Sequence, residues 1–318
     1  MKVTLDLTRL LEEGKISQSE FDRFRAFSTQ DTGSLAFNIL IGFGIAAVSV
    51  GAVALVPTPL TAAIVGAAVM AFGLVLVLGR SAHWALLAQI CLGVGALIFA
   101  GGIIAIDAGS VRALLLVTVV LAGASIAARS GLLMVAAVLA SASCLGASTG
   151  YWHATYELSI TEPTLTIVVF GLLALAAYHL SKRLESDYER LALMAARTSV
   201  FLVNFGFWIG SLWGDRLLLL RSLEDQLKNA GSMPAVVPPW LFSVGWALAL
   251  IATGIWATRV GRRWVVNVAT VFGAIHFYTQ WFDKLGPTPL AFLLGGLVML
   301  AFALGLWALN RRSEALPK

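Results

Sequence analysis

Charge is what this chain has least of. Asp, Glu, Lys and Arg make up 12% of its 318 residues, against 59% hydrophobic. A soluble domain carries about a quarter charged residues, so too few are present here to clothe a water-facing surface. Cysteine is scarce as well. Cys91 and Cys144 both lie inside apolar runs without CxxC or metal-ligand spacing, which speaks against a disulfide and for two small buried hydrophobes. The chain has no HExxH, no Walker A glycine loop, no GxSxG, no CxxCH and no acidic pair within an apolar run. These absences disfavour an intramembrane aspartyl or metalloprotease and a c-type haem protein. The expectation is accordingly no catalytic residue, no metal and no cofactor. The net charge of +5 is scattered through short loops instead of forming a stripe, which argues against nucleic acid as a partner.

Long hydrophobic runs, in contrast, are abundant. From Leu35 onward they recur in lengths of about 20 residues, which at ~1.5 Å per residue cover the ~30 Å hydrocarbon core of a bilayer. The expected crossings in the first half are Leu35–Val56, Leu60–Gly79, Trp84–Ile106, Val111–Ala128 and Gly131–Gly150. Those in the second half are Pro163–Leu180, Leu191–Trp213, Pro239–Thr258, Trp264–Phe282 and Pro289–Leu309. The fold class that follows is all-α: a polytopic transmembrane helical bundle of about ten spans over residues 35–309.

Residues 1–34 are polar and hold no apolar core of a cleavable signal peptide. Val3, Leu7, Leu10 and Leu11 share helical spacing, and Gly14 can end that helix. Ser17-Gln18-Ser19-Glu20 matches a capping box that opens a second helix carrying Phe21 and Phe24. The segment is therefore expected to be a short amphipathic helical hairpin. Two roles are open to it, packing on its own bundle or docking a protein partner. Residues 310–318 form a basic tail.

Orientation follows from the basic residues. With the N-terminus inside, Lys15, Arg23, Arg129, Arg183, Arg263, Arg311 and their neighbours face the cytoplasm, whereas Arg112, Arg216, Arg221, Lys228 and Lys284 face outward. This bias of about three to one makes both termini, the hairpin and the basic tail cytoplasmic in a bacterial inner membrane, with anionic headgroups as partners on that side. Outside, Tyr151, Trp152 and Tyr156 suit the headgroup level. Leu217, Leu220, Leu223 and Leu227 give Arg216–Lys228 the pattern of a helix lying flat at the interface.

Two faces could carry chemistry. On the ninth span His276, Gln280 and Asp283 follow at i, i+4 and i+7, so they share one side of a helix. An imidazole titrates near pH ~6.5, and such a file could pass protons or hold a polar solute. It could equally consist of a boundary carboxylate and two side chains bonded to neighbouring helices. On the seventh span Arg197 and Asn204 lie along a second polar face, with Gly206, Gly210 and Gly214 nearly opposite at a spacing that admits a close neighbour. Arg197 either snorkels to the headgroups or meets an anion. Asn38, Gln89, His179 and Asn267 read as isolated helix–helix hydrogen bonds.

The stretch LLEEGKISQSEFDRF (Leu10–Phe24), followed directly by the first span, resembles the opening of a bacterial family of polytopic membrane proteins known as a domain of unknown function. Asn267 and FDKLGPTPLAFLLGGLVML (Phe282–Leu300) are similar to that family's close. The resemblance implies membrane location and transfers no site residue. The same opening is also similar to short helical oligomerisation motifs. Three functions remain: a non-enzymatic protein with structural, assembly or sensing duties; a secondary transporter or permease for a small polar solute, lined by His276, Gln280, Asp283, Arg197 and Asn204; and an enzyme on lipid-linked substrates.

Overall fold

The computed structural model describes residues 7–79, 82–152, 155–217 and 237–314. Helix α1 (Leu7–Glu12) ends at Gly14, whose φ of 67° lies in the left-handed region and whose N–H donates to Leu11 O. That backbone shape is open to glycine and strained for a residue with a Cβ. Ser17 then starts α2 with the expected reciprocal cap: its hydroxyl accepts from the Glu20 N–H, and the Glu20 carboxylate accepts from the Ser17 N–H at 2.8 Å.

Helix α2 departs from the expected hairpin. It runs unbroken over Gln18–Leu55, 38 residues, so the second amphipathic helix and the first span are one rod. Between Ser28 and Ser34 there is no proline, and a single glycine in a helix interior costs only about 1 kcal/mol. Nothing in that stretch is strong enough to stop propagation.

Next come α3 (Pro59–Leu78), a 3-10 turn at Ala82–Trp84, α4 (Ala85–Ile106), α5 (Val111–Ala128) and α6 (Gly131–Ser143). Thr58 and Ser110 cap α3 and α5 through their hydroxyls. Only Arg129 and Ser130 separate α5 from α6, and Arg129 makes the turn in the left-handed conformation at φ 50°.

The fifth expected crossing, Gly131–Gly150, is corrected. Its helix stops at Ser143, and Ala147–Trp152 becomes strand β1, paired antiparallel with β2 (Thr155–Ile160) from Ala147↔Ile160 to Trp152↔Thr155. Ser, Thr, Gly and aromatic residues crowd this stretch, and such residues favour turns and strands over helix continuation. Gly146 and Gly150 consequently share no helix face. The side chains of Tyr151, Trp152 and Tyr156 lie outside the described residues, as does most of the surface helix expected at Arg216–Lys228.

The remaining helices are α7 (Pro163–Ser181), α8 (Ser186–Trp213), α9 (Pro239–Val260), α10 (Arg263–Leu285) and α11 (Pro289–Glu314). Among the described residues, seven helices are long and apolar enough to cross a membrane: Ala36–Leu55 within α2, then α3, α4, α5, α7, α8 and α9. The apolar stretches of α6 and α11 are shorter. Helix α10 has the length but not the composition, because Asn267, His276, Gln280, Asp283 and Lys284 interrupt it.

Many large apolar side chains lie on the surface, as they do not in a soluble bundle, although Trp246, Phe170, Leu92 and Leu133 are fully buried. The covered positions of α3 are Ala63, Gly66, Met70 and Gly73, whereas Leu40, Phe43, Leu55, Leu97, Leu248 and Leu293 stand more than half exposed. Small residues at a close helix contact and many large apolar ones outside are expected where the surroundings are lipid and helices associate by close packing. In water the same surface would be an aggregation hazard.

The chain divides into two compact units, Met1–Cys144 with Leu173–Thr198, and Leu145–Leu172 with Ser199–Lys318. In the first, α3 and α4 are pressed together through glycines seven residues apart on each helix. A Cβ built on Gly66 would strike the Phe99 backbone, one on Gly95 the Met70 backbone, and one on Gly73 would lie 2.9 Å from Leu92 N. Met70, Leu92, Val117, Leu121 and Leu133 form the apolar centre beside this pair. The second unit holds the candidate site.

Candidate functional site

Helix α8 begins with Asp187 and Glu189 in its first turn, where carboxylates complement the free N–H groups of a helix start. Further along, Asn204 is turned into the second unit, 8% exposed. Its Nδ2 donates to Val200 O at 2.8 Å, and its Oδ1 accepts from the Trp246 indole N–H at 2.9 Å. Trp246, on α9, is fully buried. A buried indole has one donor and must place it, and Asn204 supplies the acceptor. The same indole meets the His276 imidazole of α10 edge-on, with ring centroids 4.9 Å apart.

Aromatic rings complete this junction of three helices. Phe272 meets Phe201 at 5.7 Å, Phe205 at 5.6 Å and Trp246 at 6.3 Å, centroid to centroid. One turn past His276, the Trp208 indole N–H donates to Thr279 Oγ1 at 3.0 Å. The glycines of α8 lie on a different side. Gly206 faces Pro163 O and Ile167 of α7, Gly210 meets the Phe242 ring, and Gly214 closes the helix at φ 72° against Val237 O.

Beyond the junction α10 carries a groove of about 450 Å³ lined by His276, Phe277, Gln280, Trp281, Lys284 and Leu285. Two nitrogens here are buried without a hydrogen-bond partner, His276 Nδ1 and Gln280 Nε2. Trp281 contributes only its ring, because its N–H already donates to Ala291 O at 2.9 Å. Lys284 is exposed at the end of the groove.

The structure thus joins His276 to Asn204 through Trp246 and places Gln280 beside His276 in the groove. Asp283 is exposed and does not line it. Arg197 is half-buried on the part of α8 that belongs to the first unit. Sequence reasoning missed Lys284, although it stands at i+4 from Gln280, because Asp283 at i+3 was the more conspicuous charge in an apolar setting. It also missed Trp246 and Phe272, which look like any other apolar residue in a hydrophobic run.

Two buried carboxylates escaped notice for a similar reason. Asp215, 2% exposed, accepts from Thr164 N–H at 2.7 Å and from Leu217 N–H at 2.8 Å, so it caps the start of α7 from a distant point in the chain. Glu162, 4% exposed, directly precedes α7, and its carbonyl accepts from Thr166 N–H. Of the isolated polar residues, Asn38 donates to His83 O at 2.7 Å and Gln89 accepts from Ser130 Oγ at 2.9 Å. His179 bonds within its own helix to Leu175 O, and Asn267 is exposed. Among the described residues no three His, Cys, Asp or Glu side chains come together as a metal site.

No protein-family model, no curated protein and no solved structure matches this chain.

Proposed function

We propose that this chain is a multi-pass protein of the bacterial inner membrane, with about ten crossings and both termini cytoplasmic, whose duty is structural, assembly or sensing. The observation that carries the reading is how the polar groups of α8 and α9 are used. Asn204 satisfies its amide against Val200 and Trp246, and Trp208 bonds Thr279. One hydrogen bond and several ring contacts join these helices to α10. A solute path would need the space between them open.

The start of the chain is the part of this proposal that faces a protein partner, and the basic cytoplasmic loops face anionic headgroups. Kinship with the bacterial membrane-protein family that Leu10–Phe24 resembles belongs to the same proposal. A permease is the second reading, and the unpartnered His276 Nδ1 and Gln280 Nε2 are what favour it.

Proteoliposomes with an imposed pH gradient separate the two. The proposal expects proton leak equal to that of empty vesicles, with and without His276→Ala. A leak present in the native protein and abolished by His276→Ala would replace it with the permease.

A further inference from the structure

The turn between α9 and α10 carries three arginines in five residues, Arg259, Arg262 and Arg263, and all three are exposed. No Asp or Glu occurs in the sequence between Asp225 and Asp283. The first carboxylate of this helix pair therefore stands at the far end of α10, about 30 Å along the helix. Other basic turns carry their own acids. Arg129 pairs with Asp187 and Lys15 with Glu13, and the turn holding Lys182, Arg183 and Arg190 also holds Glu185, Asp187 and Glu189. The start of α10 adds no negative charge, since its first turn has no acid and no side chain caps it. The backbone fixes the shape of the turn: Gly261 stands at φ 71°, and the Arg262 N–H donates to Ala257 O at 2.8 Å. Directly before the arginines, Ile255, Trp256 and Val260 of α9 are about half exposed. Helix α9 is long and apolar enough to cross a membrane, so its end falls where hydrocarbon gives way to headgroups. An indole three residues before Arg259 suits that level.

We infer that this turn binds the headgroup of a phospholipid that carries two phosphodiesters. A guanidinium can face two phosphate oxygens at once, and three of them on one short turn exceed the charge of a single phosphodiester. Two phosphodiesters joined through one glycerol bring two negative charges to the same place. The acyl chains then run along Ile255, Trp256 and Val260, which a free anion would leave uncovered. An acidic protein segment would match the arginines but not these apolar side chains, which lie on the hydrocarbon side of them. A zwitterionic lipid would bring a further cation to a turn that already has three.

This inference rests on the reading of the chain as membrane-inserted, which flotation of the protein with vesicles checks separately. The inserted, full-length protein is then extracted from vesicles of equal cardiolipin, phosphatidylglycerol and phosphatidylcholine, and the retained lipid is counted by native mass spectrometry. The native protein is expected to retain cardiolipin over both other lipids. Arg259→Gln and Arg263→Gln should each lower cardiolipin retention about fivefold, the weight of one arginine at the headgroup level, and the double variant should lower it further. Arg183→Gln, in a turn with its own carboxylates, should leave it unchanged. Because Arg259 and Arg263 are exposed, the variants are expected to keep the native melting temperature in detergent. Equal retention of cardiolipin and phosphatidylglycerol by the native protein, or unaltered retention in the double variant, overturns the site while leaving insertion intact. An equal loss in Arg183→Gln would reduce the effect to general surface charge and overturn it as well. Inorganic phosphate that displaces cardiolipin as effectively as added cardiolipin does would assign the turn to a free anion, with the same consequence.

Discussion

Trp246 decides more than any other single side chain. It is fully buried, spends its one donor on Asn204 and rests against His276 and Phe272. Trp246→Phe keeps a ring in place but leaves Asn204 Oδ1 without its indole partner in a dry setting. The expected loss is about 1–3 kcal/mol for the stranded acceptor, together with a cavity term for the missing ring. Thermal unfolding in detergent measures it. Pairing this variant with Asn204→Leu should recover part of the loss, since no buried acceptor then goes unmatched; additive losses would show that the bond contributes nothing. Asn204 and His276 were visible in the sequence as polar residues at helical spacing. Their meeting was not, because the residue that joins them is apolar in every pattern and lies on a third helix.

At the scale of elements, α3 and α4 are held by what their glycines lack. Gly66→Ala would set a methyl group against the Phe99 backbone, which cannot step aside as a side chain can. Overpacking of this kind costs about 1–3 kcal/mol. Gly101→Ala is the matched control, since nothing lies within 4 Å of its position and alanine is the better helix former. A melting temperature lowered by Gly66→Ala and unchanged or raised by Gly101→Ala is expected. Equal effects would mean that α3 and α4 are not in close contact.

The start of α2 responds to pH. Hydrogen bonds from the Ser17 backbone and hydroxyl hold the Glu20 carboxyl below the ordinary carboxylate value. A carboxyl depressed in the folded state adds stability above its unfolded pKa and loses it as pH falls through the folded one. Amide protection in the first turn of α2 should therefore decline on acidification below the ordinary carboxylate range. In Glu20→Gln, which cannot ionise, that decline should vanish; persistence of the full pH dependence would place its origin elsewhere. This cap could be read directly from Ser17 and Glu20, because a capping box is local. The unbroken length of α2 could not. Its polar stretch Ser28–Ser34 looks like a linker, and only continuity with the apolar rod beyond it carries the helix through.

For the molecule as a whole, the testable property is sidedness. Single-cysteine variants in a background lacking Cys91 and Cys144 can be labelled by an impermeant thiol reagent in intact cells. With about ten crossings, Lys284→Cys is expected to label from outside, and Glu13→Cys and Arg183→Cys only after the membrane is opened. Labelling of Arg183→Cys from outside would change the number of crossings before it.

Composition alone determined that large apolar helices dominate this chain and roughly where each begins, because length and hydropathy are summed over about 20 residues and tolerate local error. It also determined the local signals, such as the cap at Ser17 and the turn at Gly14. Tertiary structure alone decided that residues after Ser143 leave the helix for a hairpin, that Asp215 caps α7, and that Lys284, and not Asp283, extends the file of His276 and Gln280. Each of those outcomes depends on which neighbour stands opposite a residue. Hydropathy is nearly uniform around most of these helices, α8 and α10 excepted, so the sequence carries little record of which side the others turn toward their neighbours.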